Sequence, residues 1–301
     1  MAAVLAAASV LAAAPAAHGQ AALQPPQVLR VAALAAAPVI DGVLGEWSAE
    51  GWTKIEVKPA VEAGERAGLG LDAREVPAPP RMRVEIKAGM AQGRIFFAVR
   101  WPDAAPDTDY RLWERKGSEY VEGSQRDDAF AVRFAMQGEF DRTMLSGKSY
   151  TVDVWYWSAG RSNRVGRAED MMHRISSRFI EDAAEYQVRG VGTVYIKKTR
   201  DAGTPLYRNL RPAAEAREER LPSIAMNPQP AGSIADVQAR GVWSKGAWHL
   251  ELARALDTGH ADDVVLRPGA RVPFQIAVFN RSGDENKGVS EPLLLDLGAL
   301  P

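Results

Sequence analysis

No cysteine occurs anywhere in the chain. That excludes disulfides, thiolate-held zinc, cysteine-ligated iron–sulfur clusters and any cofactor attached covalently through a Cys-x-x-Cys-His motif. Histidine is nearly as scarce, with only His18, His173, His249 and His260, so a histidine-rich metal centre is not expected. Charge of one sign is also lacking: 37 basic residues face 38 acidic ones and the formal net charge is −1. A protein that grips nucleic acid needs a basic surface to displace counterions, so that class is excluded. No block of like charge marks an interaction tail. Past the first twenty or so residues no apolar run reaches the length of a membrane-spanning helix, and no span is expected in the mature protein. Nor is there a Ser-His-Asp constellation, a phosphate loop or a convincing carboxylate pair. Gly190–Val191–Gly192 lacks the strand–helix setting of a dinucleotide fingerprint. No catalytic residue is therefore assigned, and the chain is not expected to be an enzyme by itself.

What is present begins with an alanine-rich segment that ends in small residues, Ala16 and Ala17 followed by Gly19, Ala21 and Ala22. This reads as a secretory hydrophobic region with its cleavage zone, although no Lys or Arg precedes it; the alternative is a disordered alanine-rich tail. The expectation is a signal peptide over 1–22, export to the periplasm, and one domain over 28–301.

The mature chain is dominated by period-two alternation, the pattern of half-buried strands. Met82, Val84 and Ile86 alternate with Arg83, Glu85 and Lys87. Ile95, Phe97, Val99 and Trp101 share a face, as do Phe130, Val132, Phe134 and Met136, and Val152, Val154 and Tyr156 oppose Asp153, Trp155 and Trp157. Further strands are predicted over 185–197, 237–243, 248–254, 272–280 and 293–297, with Ser244–Lys245–Gly246 as a hairpin turn. One short exposed helix is expected over 213–220. Polar stretches over 59–80 and 200–235 read as long loops. The fold class is all-β, an antiparallel β-sandwich with long loops and little helix.

Particular motifs narrow this further. Ile40–Asp41–Gly42 leading into Trp47 resembles the opening of family 9 carbohydrate-binding modules. Arg100–Trp101–Pro102–Asp103, Arg126–Asp127–Asp128, Met144–Leu145–Ser146–Gly147 and Trp155–Tyr156–Trp157 occur in that order. Gly241–Val242–Trp243, Phe274–Gln275–Ile276 and Asn286–Lys287–Gly288 follow them. Together they resemble the haem-binding domain of ethylbenzene dehydrogenase-type gamma subunits, in the cytochrome c-552/DMSO reductase-like haem-binding family. The resemblance spans nearly all of the mature chain. It implies one non-covalent haem b held between a methionine and a lysine. It also implies an electron-transfer subunit that serves a molybdenum-containing catalytic subunit and an iron–sulfur subunit.

Carried over by position, the axial ligands are Met144 and Lys287. The family's Met-Gly-Asp reads Met-Leu-Ser-Gly here, and His173 is the rival ligand. Trp155 and Trp157, two residues apart on one strand face, are expected as a pocket wall. Each residue also has an ordinary reading. Met144 suits a core gap-filler, Lys287 sits in what reads as an exposed turn, His173 reads as a surface histidine, and the paired tryptophans suit a plain core. A lysine ligates only as the neutral amine, so burial must displace a proton whose usual pKa is about 10.4. Two strong axial ligands leave no open position for a substrate, which suits electron transfer. The other reading of the same fold is a carbohydrate-binding module that stacks sugars on Trp47, Trp52, Trp113, Trp155 or Trp157. Asp262–Asp263 stands as an isolated acidic pair, and nothing in the sequence supports calcium binding there.

Overall fold

The computed structural model describes residues 25–61, 81–283 and 286–298. The expected signal peptide and most of the 59–80 stretch lie outside the described residues. Strands β1 (Val28–Ala33), β2 (Thr53–Pro59), β3 (Met82–Ala91) and β4 (Arg94–Pro102) come first, then an outlying hairpin of β5 (Trp113–Lys116) and β6 (Glu119–Glu122). The centre of the chain supplies β7 (Ala129–Gly138), β8 (Tyr150–Ser158), β9 (Glu169–Ser176), β10 (Ala184–Val188) and β11 (Gly192–Arg200). Short strands β12 (Tyr207–Asn209), β13 (Arg220–Leu221) and β14 (Ile224–Met226) precede β15 (Gln238–Ser244) and β16 (Ala247–Ala255). β17 (Arg271–Phe279), β18 (Gly288–Val289) and β19 (Leu293–Asp296) close the chain.

These strands form a two-layer sandwich. One layer runs β10-β11-β9-β8-β7-β17 and the other β2-β3-β4-β16-β15. The layers join where β18 pairs with β2, and where β1 pairs first with β19 and then with β3. Those two β1 pairings are parallel and the other ladders antiparallel, so the antiparallel expectation holds for all but the first strand. Among the described residues, no helix is long and apolar enough to cross a membrane.

Alternation decides which side chains fill the gap between layers, because successive residues on a strand point to opposite faces. Phe97, Val99 and Trp101 of one layer meet Phe130, Phe134, Trp155 and Trp157 of the other, all at 1% exposure or less. The rings interlock: Phe134 and Trp155 have centroids 4.9 Å apart, and Trp157 meets Trp248 edge-on at 5.1 Å. Trp157 leaves no room opposite it. A Cβ on Gly241 would run into its indole ring, whose Nε1 donates to Asn163 Oδ1 (3.0 Å) while Asn163 Nδ2 donates to the Gly241 carbonyl (3.0 Å). Gly241→Val is expected to cost about 1–3 kcal/mol by overpacking, read as a lower urea midpoint at unchanged slope.

The Ile-Asp-Gly opening packs on the outer side of the second layer. Glu251 accepts from the Trp47 indole N–H (2.8 Å) and from the Gly42 amide (3.0 Å), so Trp47 is buried. Lys245 and Gly246, both at positive φ, turn the β15–β16 hairpin as expected and set Trp243 opposite Trp248.

Three local expectations differ from the structure. The predicted strand over 185–197 is a hairpin, β10 and β11, because Gly190 and Gly192 take positive φ and reverse the chain. Residues 213–220 are not helical, since the only regular structure there is Arg220 pairing with Glu114 of β5. The 200–235 stretch is not a structureless loop: it carries β12 to β14 and buries Leu206, Tyr207, Ile224 and Ile234 in a small core of its own.

Candidate functional site

The first layer is buried on both faces. On the side away from the tryptophans, Ala131, Val152, Val154, Ile175, Val194, Ile196 and Ala277 form a second apolar cluster with Met144 and Val289. Strand pairing sets them in register: Ala277 lies beside Ala131, Ala131 beside Tyr156, and Tyr156 beside Glu169. The next rung runs Gln275, Arg133, Val154, Met171 and Arg200. Over this face opens a cavity of about 370 Å³ with a floor of small and apolar side chains. That volume falls within the range of small-molecule sites.

Met144, Lys287 and His173 all line this one cavity. Each arrives by a different route. Met144 sits in the connection between β7 and β8, at 7% exposure. Arg133 holds that connection by donating to Tyr150 Oη (3.1 Å) and the Arg142 carbonyl (2.9 Å), and Tyr150 Oη donates to the Thr143 carbonyl (3.1 Å). Lys287 precedes β18 and is 9% exposed, so the expected exposed turn is a buried one. The segment is pinned across the outer face: the Ala60 amide donates to the Lys287 carbonyl (2.9 Å), and Gln275 Nε2 donates to the Ser290 carbonyl (2.6 Å). Lys287 Nζ lies 5.9 Å from the Phe279 ring centre.

His173 is in β9, paired with Val152 and Lys198, and is buried rather than on the surface. Its Nε2 has no hydrogen-bond partner. Burial first, then the cations Lys198, Lys287 and Arg133, hold its imidazole well below the usual range. At neutral pH the ring is therefore uncharged. The signal for β9 was present in the sequence, since Glu169, Met171 and His173 alternate with Asp170, Met172 and Arg174.

Trp155 and Trp157 do not wall the cavity. They point the other way, into the core between layers, and the side chains of β8 that reach the cavity are Val154 and Tyr156. The two tryptophans share a face, as the spacing requires, but it is the face against the second layer.

Sequence reasoning missed the basic rim. Arg133, Arg142, Arg161, Lys198 and Arg200 all reach the cavity. Arg161 is gripped by Asp127 through Nε (3.2 Å) and Nη2 (3.0 Å), and Arg200 Nε pairs with Glu169 at 3.0 Å. Tyr207 Oη donates to Glu169 (3.0 Å) and accepts from Arg200 (2.8 Å), so the rim is cross-braced from the 200–235 connection. Burial pushes the Tyr156 hydroxyl up to about 12, which keeps it a neutral phenol beside Arg161. The pattern offers soft and nitrogen donors inside an apolar slot, with cations at its mouth suited to carboxylates.

None of the eight tryptophans is exposed. Trp52 is covered by the Arg100 guanidinium at 4.5 Å and by Lys87 at 5.3 Å, and Trp113 donates to the Leu210 carbonyl (2.9 Å).

The fold and site define a two-layer β-sandwich with a cavity on the outer face of one sheet. The ethylbenzene dehydrogenase family matches this chain over residues 47–290, and the chain belongs to that family. No curated protein matches it. Among solved structures it is similar to a family 9 carbohydrate-binding module from Caldicellulosiruptor kristjanssonii in complex with glucose. Identity is 11%, the TM-score 0.38, and coverage 91% of this chain and 97% of that one. The same module with cellotriose is 13% identical, at TM-score 0.37 and coverage of 91% and 95%. A putative carbohydrate-binding protein from Bacteroides uniformis is 9% identical, with a TM-score of 0.42 and coverage of 89% and 91%.

Proposed function

We propose that the protein binds one non-covalent haem b in the outer-face cavity and transfers electrons. In this reading it is an exported, periplasmic subunit or relative of a molybdenum-containing oxidoreductase, partnered by that catalytic subunit and an iron–sulfur subunit. One observation carries the reading: three Lewis-base side chains from distant parts of the chain, Met144, His173 and Lys287, converge on a single cavity. The residues suit the group. The buried, unpartnered Nε2 of a neutral imidazole, a thioether and an amine are all known iron donors in chemical type. The floor of Ala131, Val154 and Ala277 is built of small apolar side chains suited to a macrocycle, and Arg133, Arg142 and Arg161 suit its propionates.

When bound, haem b supplies a one-electron iron couple. The chain's own residues set its surroundings. Met144 and Lys287 would hold it from the two connections that cover the sheet, and a thioether favours the reduced metal. Val289, Phe279 and Ala60 add apolar lining to the slot. His173, uncharged, adds no further positive charge beside Lys198 and Arg133.

The test is spectroscopic. Protein produced with haem supplied should show sharp low-spin bands when reduced. Met144→Ala and Lys287→Ala should each lose the haem or turn it high-spin, while His173→Ala should keep the low-spin bands. Loss of those bands in His173→Ala, with either of the other two unchanged, would reassign the ligand pair. A haem-replete preparation in which wild type takes up no haem would sink the proposal.

A further inference from the structure

A second cluster of chemistry lies away from the cavity, at the edge of the core between layers. Asp153 and Asp170 project from β8 and β9 on the tryptophan side of the first layer and are fully buried. Asp201 follows β11, and Asp262 and Asp263 lie in the connection between β16 and β17. Asp201 and Asp263 are 7% and 5% exposed. Two groups of carboxylates share Asp263. Oxygens of Asp153, Asp170 and Asp263 lie within 4.8 Å of one another, and so do oxygens of Asp201, Asp262 and Asp263.

The first group has its cation. Arg254 Nη1 lies 2.7 Å from Asp153, 3.1 Å from Asp170 and 3.1 Å from Asp263. In the second group Arg254 reaches Asp263 alone, and among the described residues neither Asp201 nor Asp262 is ion-paired with a basic side chain. Neither carboxylate oxygen of Asp201 has a hydrogen-bond partner, and Asp170 Oδ1 and Asp153 Oδ1 beside them have none either. Asp262 is only steadied by Ser233 Oγ, which donates to it at 3.0 Å. Arg254 thus pairs with three of the five carboxylates and leaves Asp201 and Asp262 without a cation. Buried carboxylate oxygens with no donor are costly, since burial strips their water without replacing it.

We propose that Asp201, Asp262 and Asp263 hold a calcium ion that ties the end of β11 and the β16–β17 connection to the sandwich. Calcium takes six to eight oxygen ligands at about 2.3–2.6 Å, so two oxygens on one ion lie within roughly 5 Å of each other, as these do. All the donors are carboxylates, which are hard ligands and unsuited to softer metals. An all-protein carboxylate cage also suits calcium better than magnesium, which usually keeps several waters. The third acidic group, Asp236, His260 and Asp263, is a weaker candidate because His260 is 41% exposed and already bonded to Asp236 at 2.8 Å.

The experiment uses the full chain, stripped with chelator and titrated with calcium chloride by calorimetry and thermal melting. One calcium should bind per chain, and saturating calcium should raise the melting temperature by roughly 5 °C. Magnesium at the same concentration should raise it less. Asp201→Asn should abolish the calcium response, and so should Asp262→Asn, whose side chain is only half-buried and whose loss should not endanger folding. No heat of binding and no thermal shift at millimolar calcium would overturn the proposal. So would a wild-type calcium response in either variant. A chelated Asp201→Asn protein that melts higher than chelated wild type, yet ignores calcium, would support it.

Discussion

Arg254→Met is expected to lose about 3–5 kcal/mol of stability in calcium-free buffer, which is a large part of the 5–15 kcal/mol of a typical domain. The guanidinium is fully buried. It reaches Asp153, Asp170 and Asp263 through Nη1 and donates from Nη2 to the Val264 carbonyl at 2.8 Å, while its Cζ lies 4.8 Å from the Trp155 ring centre. Methionine fills much of the same space but removes the charge that balances those carboxylates. Breaking one side of a buried ion pair costs far more than the pair contributes as a whole, because the remaining charge is left without water or partner. Arg254→Lys should fall between, since one ammonium cannot serve three carboxylates and a carbonyl in a planar fork. Urea unfolding with linear extrapolation measures both. A loss below about 1 kcal/mol for the methionine variant would mean that the carboxylates are neutral in the folded protein.

Trp155→Ala and Ala131→Leu should separate the two faces of one sheet. Trp155 is wholly buried between the layers against Phe97 and Phe134. Its truncation should cost about 3–5 kcal/mol, the sum of lost transfer energy and the cavity left behind. Haem uptake should persist in whatever remains folded, because Trp155 does not reach the outer cavity. Ala131 is on the floor of that cavity. Leucine there should fold with little change in the urea midpoint but should exclude the ligand, read as loss of haem absorbance per chain. If the stable leucine variant still takes up haem while the folded fraction of Trp155→Ala does not, the site is on the wrong side of the sheet.

These two variants also mark where sequence reading ran out. Alternation placed Val152, Val154 and Tyr156 opposite Asp153, Trp155 and Trp157, and the strand bears that out. It did not say which face carries the cavity. Both faces are apolar and buried, one against a second sheet and the other under connections, and hydrophobic periodicity responds to burial of either kind. Large aromatics drew attention to the wrong side, whereas the cavity is floored by Ala131 and Ala277, residues too small to stand out. The ordinary reading of His173, the rival ligand, as a surface residue also fails. Charged neighbours in the sequence, Glu169, Asp170 and Arg174, made it read as surface, but Glu169 and Asp170 are themselves buried through pairing with Arg200 and Arg254.

The acidic site shows the same gap. Asp262–Asp263 was visible as a pair, yet two adjacent carboxylates carry little meaning until Asp201, Asp170 and Asp153 are brought beside them from three other segments. The 200–235 connection was read as a long loop because its short strands, two or three residues each, are below the length at which alternation can be recognised.

By itself the sequence determined the local matters: an all-β chain, the strand faces, the β15–β16 turn, and the exclusion of every cysteine-based cofactor. Those follow from side-chain period, backbone preference and chemistry that each act over a few residues. Only the tertiary structure decided that Met144, His173 and Lys287 meet over one sheet face, and that three aspartates meet one buried arginine with Asp201 and Asp262 close by. Such meetings depend on how connections close over distances that no local pattern encodes.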